Sequence, residues 1–414
     1  MNLGNTTTPD PWLTIIGIGE DGMAGLSAAA RRLVEQAEII VGGDRHHDLA
    51  PGRNPERISW PSPFDALIDL LKSHKGRRIV VLATGDPLWY SVGARILKAI
   101  PGDEIGFHPQ ISAFQWAACR MGWSMADVET LTAHGRAAEQ VIPYFWPGAR
   151  LLILTAGSQT PGEVARLLAA RGYGDSRMTV LANLGGPEER RIEATAAGWA
   201  DTDPADDIPP FHSLAVACAG APEPLLPRLP GLPDEAFAND GVMTKREVRA
   251  VTLARLMPAR GEMLWDIGTG SGSIAVEWMR AGRDALAIGI DPRPERLKLA
   301  RQNASILGTP KLELIEGTAP DALVGLPRPD AVFIGGGLTR ETVAAARAAL
   351  PNGGRLVANT VTLDSEALLI ALQAEIGGEL TRLSIERAAP IGGLTGSRAG
   401  WRPAMPVVQW SLTT

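Results

Sequence analysis

Cysteine is nearly absent: 414 residues carry two, Cys119 and Cys218, in separate apolar segments. No disulfide framework is expected from that pair, and six histidines with two thiols show no metal-ligand spacing. No apolar run is long enough to cross a bilayer, and the opening MNLGNTTTPD lacks the basic and apolar blocks of a secretion signal. A cytoplasmic protein without a structural metal is expected. A basic excess is missing too. Forty Lys and Arg face forty-six Asp and Glu, a formal charge of −6, which argues against a nucleic-acid partner. Acidic residues are lacking locally from Arg387 to Thr414, where Arg387, Arg398 and Arg402 remain, a bias that suits an anionic ligand. No short-period repeat is visible.

What is present is ordinary globular composition, with 21% charged residues and length for two or three domains. Strand and helix patterns alternate from LTIIGIG at residue 13 onward, through EIIVGGDRHH, RRIVVLATGDP and EIGFHPQIS. This predicts a mainly parallel α/β sheet over residues 12–120. Residues 127–225 are read as continuing the alternation in a second small lobe. Prolines at 222, 224, 227, 230 and 233 exclude helix or sheet interior, so residues 221–237 are read as a semi-rigid linker. The domains expected are therefore 1–220, with lobes 12–120 and 121–220, and 238–414. The second opens on a helix, MTKREVRAVTLARLM, for which Thr244 is a plausible N-cap.

The most informative stretch is MLWDIGTGSGSIAVEWMR, residues 263–280. An apolar strand breaks into Gly268, Thr269, Gly270, Ser271 and Gly272, then resumes at helical spacing. Such a turn lets backbone approach a nucleotide-like ligand closely. Asp291, ending the next apolar run, lies where a carboxylate accepts the hydrogen bonds of a ribose diol. A dinucleotide fingerprint would have glycine or alanine at 273, where Ser273 stands. The pattern resembles the class I S-adenosylmethionine (SAM) methyltransferases.

Three stretches of the first half carry a second signal: IIGIGEDGMAGLS, LATGDPLWYSVG and HPQISAFQWAA. In this order they resemble the tetrapyrrole methylase family, whose two α/β lobes hold SAM in the cleft between them. That implies a cofactor site at Gly17, Gly19, Gly85, Asp86, Pro87, Ser112 and Ala113. Ser112 precedes a helix, where a hydroxyl and free N–H groups would face the ligand. Ala113 stands where many members carry a second hydroxyl. The stretch VEQAEIIVGGDRHH and the segment LTAHGRA resemble the branch of that family acting on corrin precursors.

The second half, through TKREVRA, DIGTGSGSIAVEW, GIDPRPERLKLARQNA, EGTAP, PDAVFIGGG and GGRLVANTVTL, resembles the small decarboxylating methyltransferases of the same pathway. This implies a seven-stranded, Rossmann-like class I fold. Thr244, Gly268 to Gly272, Asp291 and Ala319 would line its SAM pocket. Together the halves resemble the fused methyltransferases of vitamin B12 biosynthesis. The activity implied is methylation of ring carbons 5 and 15 of a precorrin-6 tetrapyrrole, with loss of carbon dioxide from an acetate, giving precorrin-8. It implies one SAM per domain, S-adenosylhomocysteine as product, a metal-free polycarboxylate substrate and self-association. A cobalt-bearing substrate, a methyltransferase for RNA or protein, a nucleotide-dependent oxidoreductase and a SAM sensor are the alternatives.

Carboxylates call for guanidinium partners. Arg398 and Arg402 are nominated, in a loop after a strand expected to be parallel, with Arg246 and Arg249 on the entry helix. His46, His47 and Arg136 are the counterparts in the first half. His134, able to titrate near neutrality, is the candidate acid–base residue for chemistry at carbon 5.

Overall fold

A computed structural model of the chain describes residues 11–52, 55–202, 204–390 and 399–414. It divides into two compact units: the chain up to Arg136 with Pro147–Ala221, and Ala137–Trp146 with Pro222–Thr414. Among the described residues no helix is long and apolar enough to cross a membrane.

The first lobe is built on β1 (Leu13–Ile18), β2 (Ile39–Gly42), β3 (Glu56–Ser59), β4 (Ile79–Thr84) and β5 (Ile105–His108). They form an all-parallel sheet in the order β3-β2-β4-β1-β5. Apart from Thr14 and the exposed terminal Thr84, the β1 and β4 strands are apolar because both faces are covered. Leu13 and Ile15 pack on one face with Val81, Ile16 and Ile18 on the other with Leu82. The connection from β1 runs toward β2 while that from β4 runs the other way to β5, so the order reverses between β1 and β4, which opens a crevice at the carboxyl ends of the strands.

The second lobe departs from the alternation read in the sequence. Its strands are β6 (Glu129–Thr132), β7 (Arg150–Leu154), β8 (Arg177–Ala182), β9 (Arg190–Thr195) and β10 (His212–Ala217), in the order β6-β7-β10-β8-β9. Only β6 and β7 are parallel; the other three pairings are antiparallel. The reason is local. β8 and β9 are joined by the short loop 183–189, which can only turn the chain back on itself. The RRIEAT stretch forming β9 escapes detection because it is a charged, mostly exposed edge strand.

The second unit carries β11 (Met263–Ile267), β12 (Leu286–Asp291), β13 (Glu313–Glu316), β14 (Ala331–Ile334), β15 (Arg355–Thr360), β16 (Glu379–Leu383), β17 (Glu386–Pro390), β18 (Ala399–Pro403) and β19 (Val407–Thr413). Seven form one sheet in the order β13-β12-β11-β14-β15-β19-β16, with β19 antiparallel to both neighbours. This is the seven-stranded class I arrangement expected from the motifs. β17 and β18 pair as a separate hairpin that leaves the carboxyl end of β16. Since β16 runs in the direction of the parallel strands, that hairpin starts from the edge bearing the glycine loop.

The proline-rich segment is built into this unit. Leu226, Leu232 and Phe237 join a cluster with Val276, Ala304 and Leu307. The amides of Gly231 and Leu232 donate to the Glu277 carboxylate, at 2.6 and 3.0 Å. Arg280 donates to the carbonyls of Leu226 (2.7 Å) and Pro227 (3.2 Å).

Arg249 completes this anchorage, which corrects its nomination as a substrate arginine. Its side chain has no exposure and bonds Glu277 (2.9 Å), Asp234 (2.7 Å) and the carbonyls of Thr244 and Leu232. With four of its five N–H donors taken and no side-chain exposure, this guanidinium is closed off from a ligand. Thr244 is not the N-cap either. Lys245 holds that position at the start of the helix Arg246–Leu256, with no side-chain cap bond. Replacing Arg249 with methionine strands a carboxylate that is 1% exposed. It should lower the unfolding free energy of the second unit by about 3–5 kcal/mol. The exposed neighbour Arg246→Ala should stay within about 0.5 kcal/mol. Urea denaturation followed by tryptophan fluorescence measures both.

Candidate functional site

In the first unit, three loops at the carboxyl ends of β1, β4 and β5 meet backbone to backbone. A Cβ on Gly17 would fall 1.8 Å from the Gly85 carbonyl oxygen and 2.7 Å from the Gln110 nitrogen, so only glycine fits. Gly85 has φ +63°, and a Cβ there would lie 2.9 Å from the Ser112 Cα. The amide of Gln110 donates to Gly85 (3.3 Å) and that of Gly85 to Ile18 (3.1 Å). The glycine and H-P-Q-I-S stretches singled out in sequence are therefore one constellation. Asp86 accepts from the Leu88 amide at 2.8 Å, which fixes the turn through Pro87. Gly19 accepts from the Gly22 amide at 3.0 Å, and Ala113 opens the helix Ala113–Met121. Beside them a cavity of about 370 Å³ is lined by Gly17, Ser27, Ala30, His108 and Gln110, among others.

Ser112 also caps its own helix. Its hydroxyl accepts from the Gln115 amide (3.3 Å), and its own amide donates to the Gln115 side chain (2.8 Å). This reciprocal capping box takes one lone pair of the hydroxyl and the Ser112 amide, and leaves the hydroxyl hydrogen to donate elsewhere.

His46 is likewise committed. Its Nδ1 accepts from the Gly43 amide (3.1 Å) and its Nε2 lies 3.0 Å from the Thr84 hydroxyl. Burial, aided by the charge on Arg45, lowers its pKa to about 4, so the ring is neutral. Both ring nitrogens are therefore engaged by protein groups. His47 Nδ1 lies 3.3 Å from Arg57, whose guanidinium also takes the carbonyl of His47. His134, following β6, is exposed, with Nδ1 3.3 Å from the Thr155 carbonyl. A carbonyl can only accept, so Nδ1 carries the proton there and Nε2 the lone pair in the neutral ring. Arg136 lies over the Tyr90 ring at 5.6 Å, and Tyr90 donates to the Thr130 carbonyl at 3.1 Å. The His134–Arg136 turn thus reaches the loop that follows Gly85.

The second unit holds a cavity of about 330 Å³ at the carboxyl ends of β11, β12 and β14. Thr244, Gly268, Thr269, Gly270, Ser271, Asp291 and Ala319 all line it, as read from the sequence; Gly272 is not in its wall. Gly268 has φ +72°, and a Cβ would fall 2.5 Å from the Gly336 nitrogen, whereas Gly270 faces open space. Asp291, 2% exposed, accepts from the Gly270 amide (3.1 Å) through one oxygen and the Arg293 amide (3.0 Å) through the other. Each carboxylate oxygen keeps a lone pair for a diol.

Sequence reasoning missed several members of this wall. Gly335 to Gly337 and Thr318 line it, and their signals were a glycine turn after β14 and a position beside Ala319. Arg296, paired with Asp240 at 2.8 Å, had no signal at all. Asp266 also lines it, 1% exposed. Its Oδ2 accepts from Thr269 (2.8 Å) and the Ala275 amide (3.1 Å), while Oδ1 has no hydrogen-bond partner. Burial raises its pKa from 3.8 to about 7.

Of the nominated substrate arginines, Arg246 is exposed, and Arg402, on the hairpin, donates to the Pro390 carbonyl at 3.3 Å. Arg398 lies outside the described residues. Arg387, part of the basic C-terminal tract, is already paired with Glu247 (2.5 Å) and Asp234 (3.6 Å).

The raised Asp266 pKa has a stability consequence. Between about pH 4 and 7 the unfolded carboxyl ionises while the folded one keeps its proton. Stability of the second unit should therefore fall as pH rises through that window, by up to roughly 4 kcal/mol at about 1.4 kcal/mol per pKa unit. Asp266→Asn should remove this fall. Urea midpoints of both proteins at pH 5 and pH 8 check it.

The chain matches two family models: Tetrapyrrole (Corrin/Porphyrin) Methylases over residues 12–199 and Precorrin methyltransferase domain over residues 235–414. It is 46% identical to the precorrin-6Y C(5,15)-methyltransferase [decarboxylating] of Sinorhizobium sp, over 97% of this chain and 96% of the relative. The protein of the same name from Mycobacterium tuberculosis is 38% identical, over 97% and 99%. The solved C-terminal domain of the precorrin-6Y C5,15-methyltransferase from Rhodobacter capsulatus is 46% identical over 46% of this chain and all of that one, with a TM-score of 0.43.

Proposed function

Because the chain belongs to the precorrin-6Y C(5,15)-methyltransferase (decarboxylating) family, we propose that it methylates ring carbons 5 and 15 of a precorrin-6 tetrapyrrole and removes carbon dioxide from one acetate side chain. The observation that carries this reading is the second-unit cavity, where a glycine backbone cradle and the buried Asp291 converge. Those residues fit a nucleoside. The left-handed glycines admit its backbone-close approach, Asp291 matches a ribose diol, and the unpartnered Asp266 Oδ1 matches an ammonium group. In the first unit the packing of Gly17 on Gly85 fixes the wall of the cavity lined by Gly17, Ser27, His108 and Gln110, which is offered as its cofactor site.

SAM bound in each unit would supply a methyl group on a cationic sulfur. The tetrapyrrole is itself an electron-rich, enamine-like carbon nucleophile, so the protein need provide no nucleophile of its own. Its work is alignment and exclusion of water, which supply a large share of the rate when the reacting atoms are held in line. In the decarboxylation the acetate carbon–carboxyl bond breaks, its electron pair enters the conjugated ring, and a proton is then delivered to the carbon left behind.

We assign methylation at carbon 5 to the first unit. His134, with its Nε2 lone pair, is the acid–base group proposed there. Methylation at carbon 15 and decarboxylation fall to the second unit, with Arg246 and Arg402 as carboxylate partners. The expected sensitivity of cofactor binding to Asp291 follows from its two backbone bonds. Asp291→Asn would replace an acceptor by a donor facing the amide of Gly270 or Arg293.

Mass spectrometry of a metal-free precorrin-6 incubated with the protein and excess SAM tests the whole reading. Gain of two methyl groups and loss of one carbon dioxide is expected. Asp291→Asn should stop at one methyl gain with no decarboxylation, and Asp86→Leu, which removes the acceptor of the Leu88 amide, should lose the other methyl. No change in mass, with SAM still bound, would overturn the substrate assignment.

A further inference from the structure

Thr84 ends β4 directly before Gly85, and it is the exposed residue of an otherwise buried strand. Its hydroxyl oxygen receives two donors. Arg45 contributes one at 3.4 Å and His46 Nε2 the other at 3.0 Å. The direction of the second bond is not a free choice. The Gly43 amide, which can only donate, points at His46 Nδ1 from 3.1 Å, so Nδ1 must hold a lone pair. In the neutral ring the proton then sits on Nε2, and His46 donates to Thr84. Two incoming donors occupy both lone pairs of the hydroxyl. Its own hydrogen must point elsewhere, and among the described residues no protein acceptor is found for it. Leaving this site exposed, beside the glycine constellation, is what a ligand donor requires.

We infer that Thr84 is a ligand-binding residue of the first unit, presenting its O–H to a carboxylate oxygen of the bound molecule. This rests on reading that unit as a tetrapyrrole methyltransferase. The guanidinium of Arg45 lies at the same hydroxyl, which favours an anionic over a neutral acceptor. Arg45 is itself paired with Glu20 and stacked on the Phe211 ring at 3.8 Å. Both contacts hold it in place, and Glu20 offsets much of its charge, so the oriented hydroxyl sets the geometry of the contact. His46 acts through Thr84 and is a positioning residue, which explains why a histidine held neutral borders the site. Two molecules could bring the carboxylate: the tetrapyrrole, through a peripheral acid side chain, or SAM, through its amino-acid end.

The test compares Thr84→Val, which keeps shape and loses the hydroxyl, with Thr84→Ser, which keeps the hydroxyl. For each full-length variant, KM for the tetrapyrrole in the carbon 5 methylation and the affinity for S-adenosylhomocysteine are measured. Carbon 15 methylation serves as internal control. Thr84→Val should raise the tetrapyrrole KM about tenfold or more, with kcat changed less, and Thr84→Ser should restore it. Loss of S-adenosylhomocysteine affinity instead, again restored by serine, would support the inference with the cofactor as the source of the carboxylate. Unchanged KM and affinity in Thr84→Val, or a serine variant as impaired as valine, would overturn it. Failure of the unaltered chain to methylate any tetrapyrrole would sink the underlying reading, while the S-adenosylhomocysteine titrations would still decide the role of Thr84.

Discussion

Both candidate sites depend on one constraint, the contact of backbone with backbone at the carboxyl ends of parallel strands. Gly17 lies against Gly85 and Gln110 in the first unit, and Gly268 lies against Gly336 in the second. A single methyl at Gly17 or Gly268 would force apart loops that define the site. The two folds are otherwise unlike in strand order, yet each ends its first strand in the same way. Close approach removes side chains from the loop tips and leaves peptide groups, oriented and rigid, as the surface a ligand meets.

Around that constraint, charge is used in two distinct ways. Buried groups hold structure. Arg249, Glu277 and Asp234 knit the proline-rich segment and the entry helix into the second unit. Asn303 ties Ala238 to the glycine loop through its three bonds, at 2.8 Å each. These interactions gain strength from the low-dielectric interior and are costly to break singly. Exposed pairs such as Arg340 with Glu375 contribute little by comparison.

Groups bordering the sites are instead moved toward neutrality. Burial holds His46 uncharged and lifts the Asp266 carboxyl to a pKa of about 7. A carboxyl so poised gives up its proton readily when a cation arrives beside it. Neutral histidine, by contrast, serves as a fixed donor whose direction is set by one backbone amide.

Much of this was legible in the chain itself. The glycine patterns, Asp291 and the apolar strands pointed to two methyltransferase folds and to the glycine loop and acid of the second cavity wall, because backbone-close turns admit few residue types and recur at fixed spacing. Tertiary structure decided what spacing does not encode. Arg249 and Arg246 lie on one helix three residues apart, and only packing made the first an internal brace and left the second exposed. Nothing in the sequence shows that the Ser112 hydroxyl accepts a bond from its own helix. The antiparallel β9 was hidden by its charge, since an edge strand buries too little to show an apolar pattern. Thr84 gave no sequence signal either. Its free hydrogen follows from where Gly43, His46 and Arg45 converge in space, and that convergence exists only once the chain has folded.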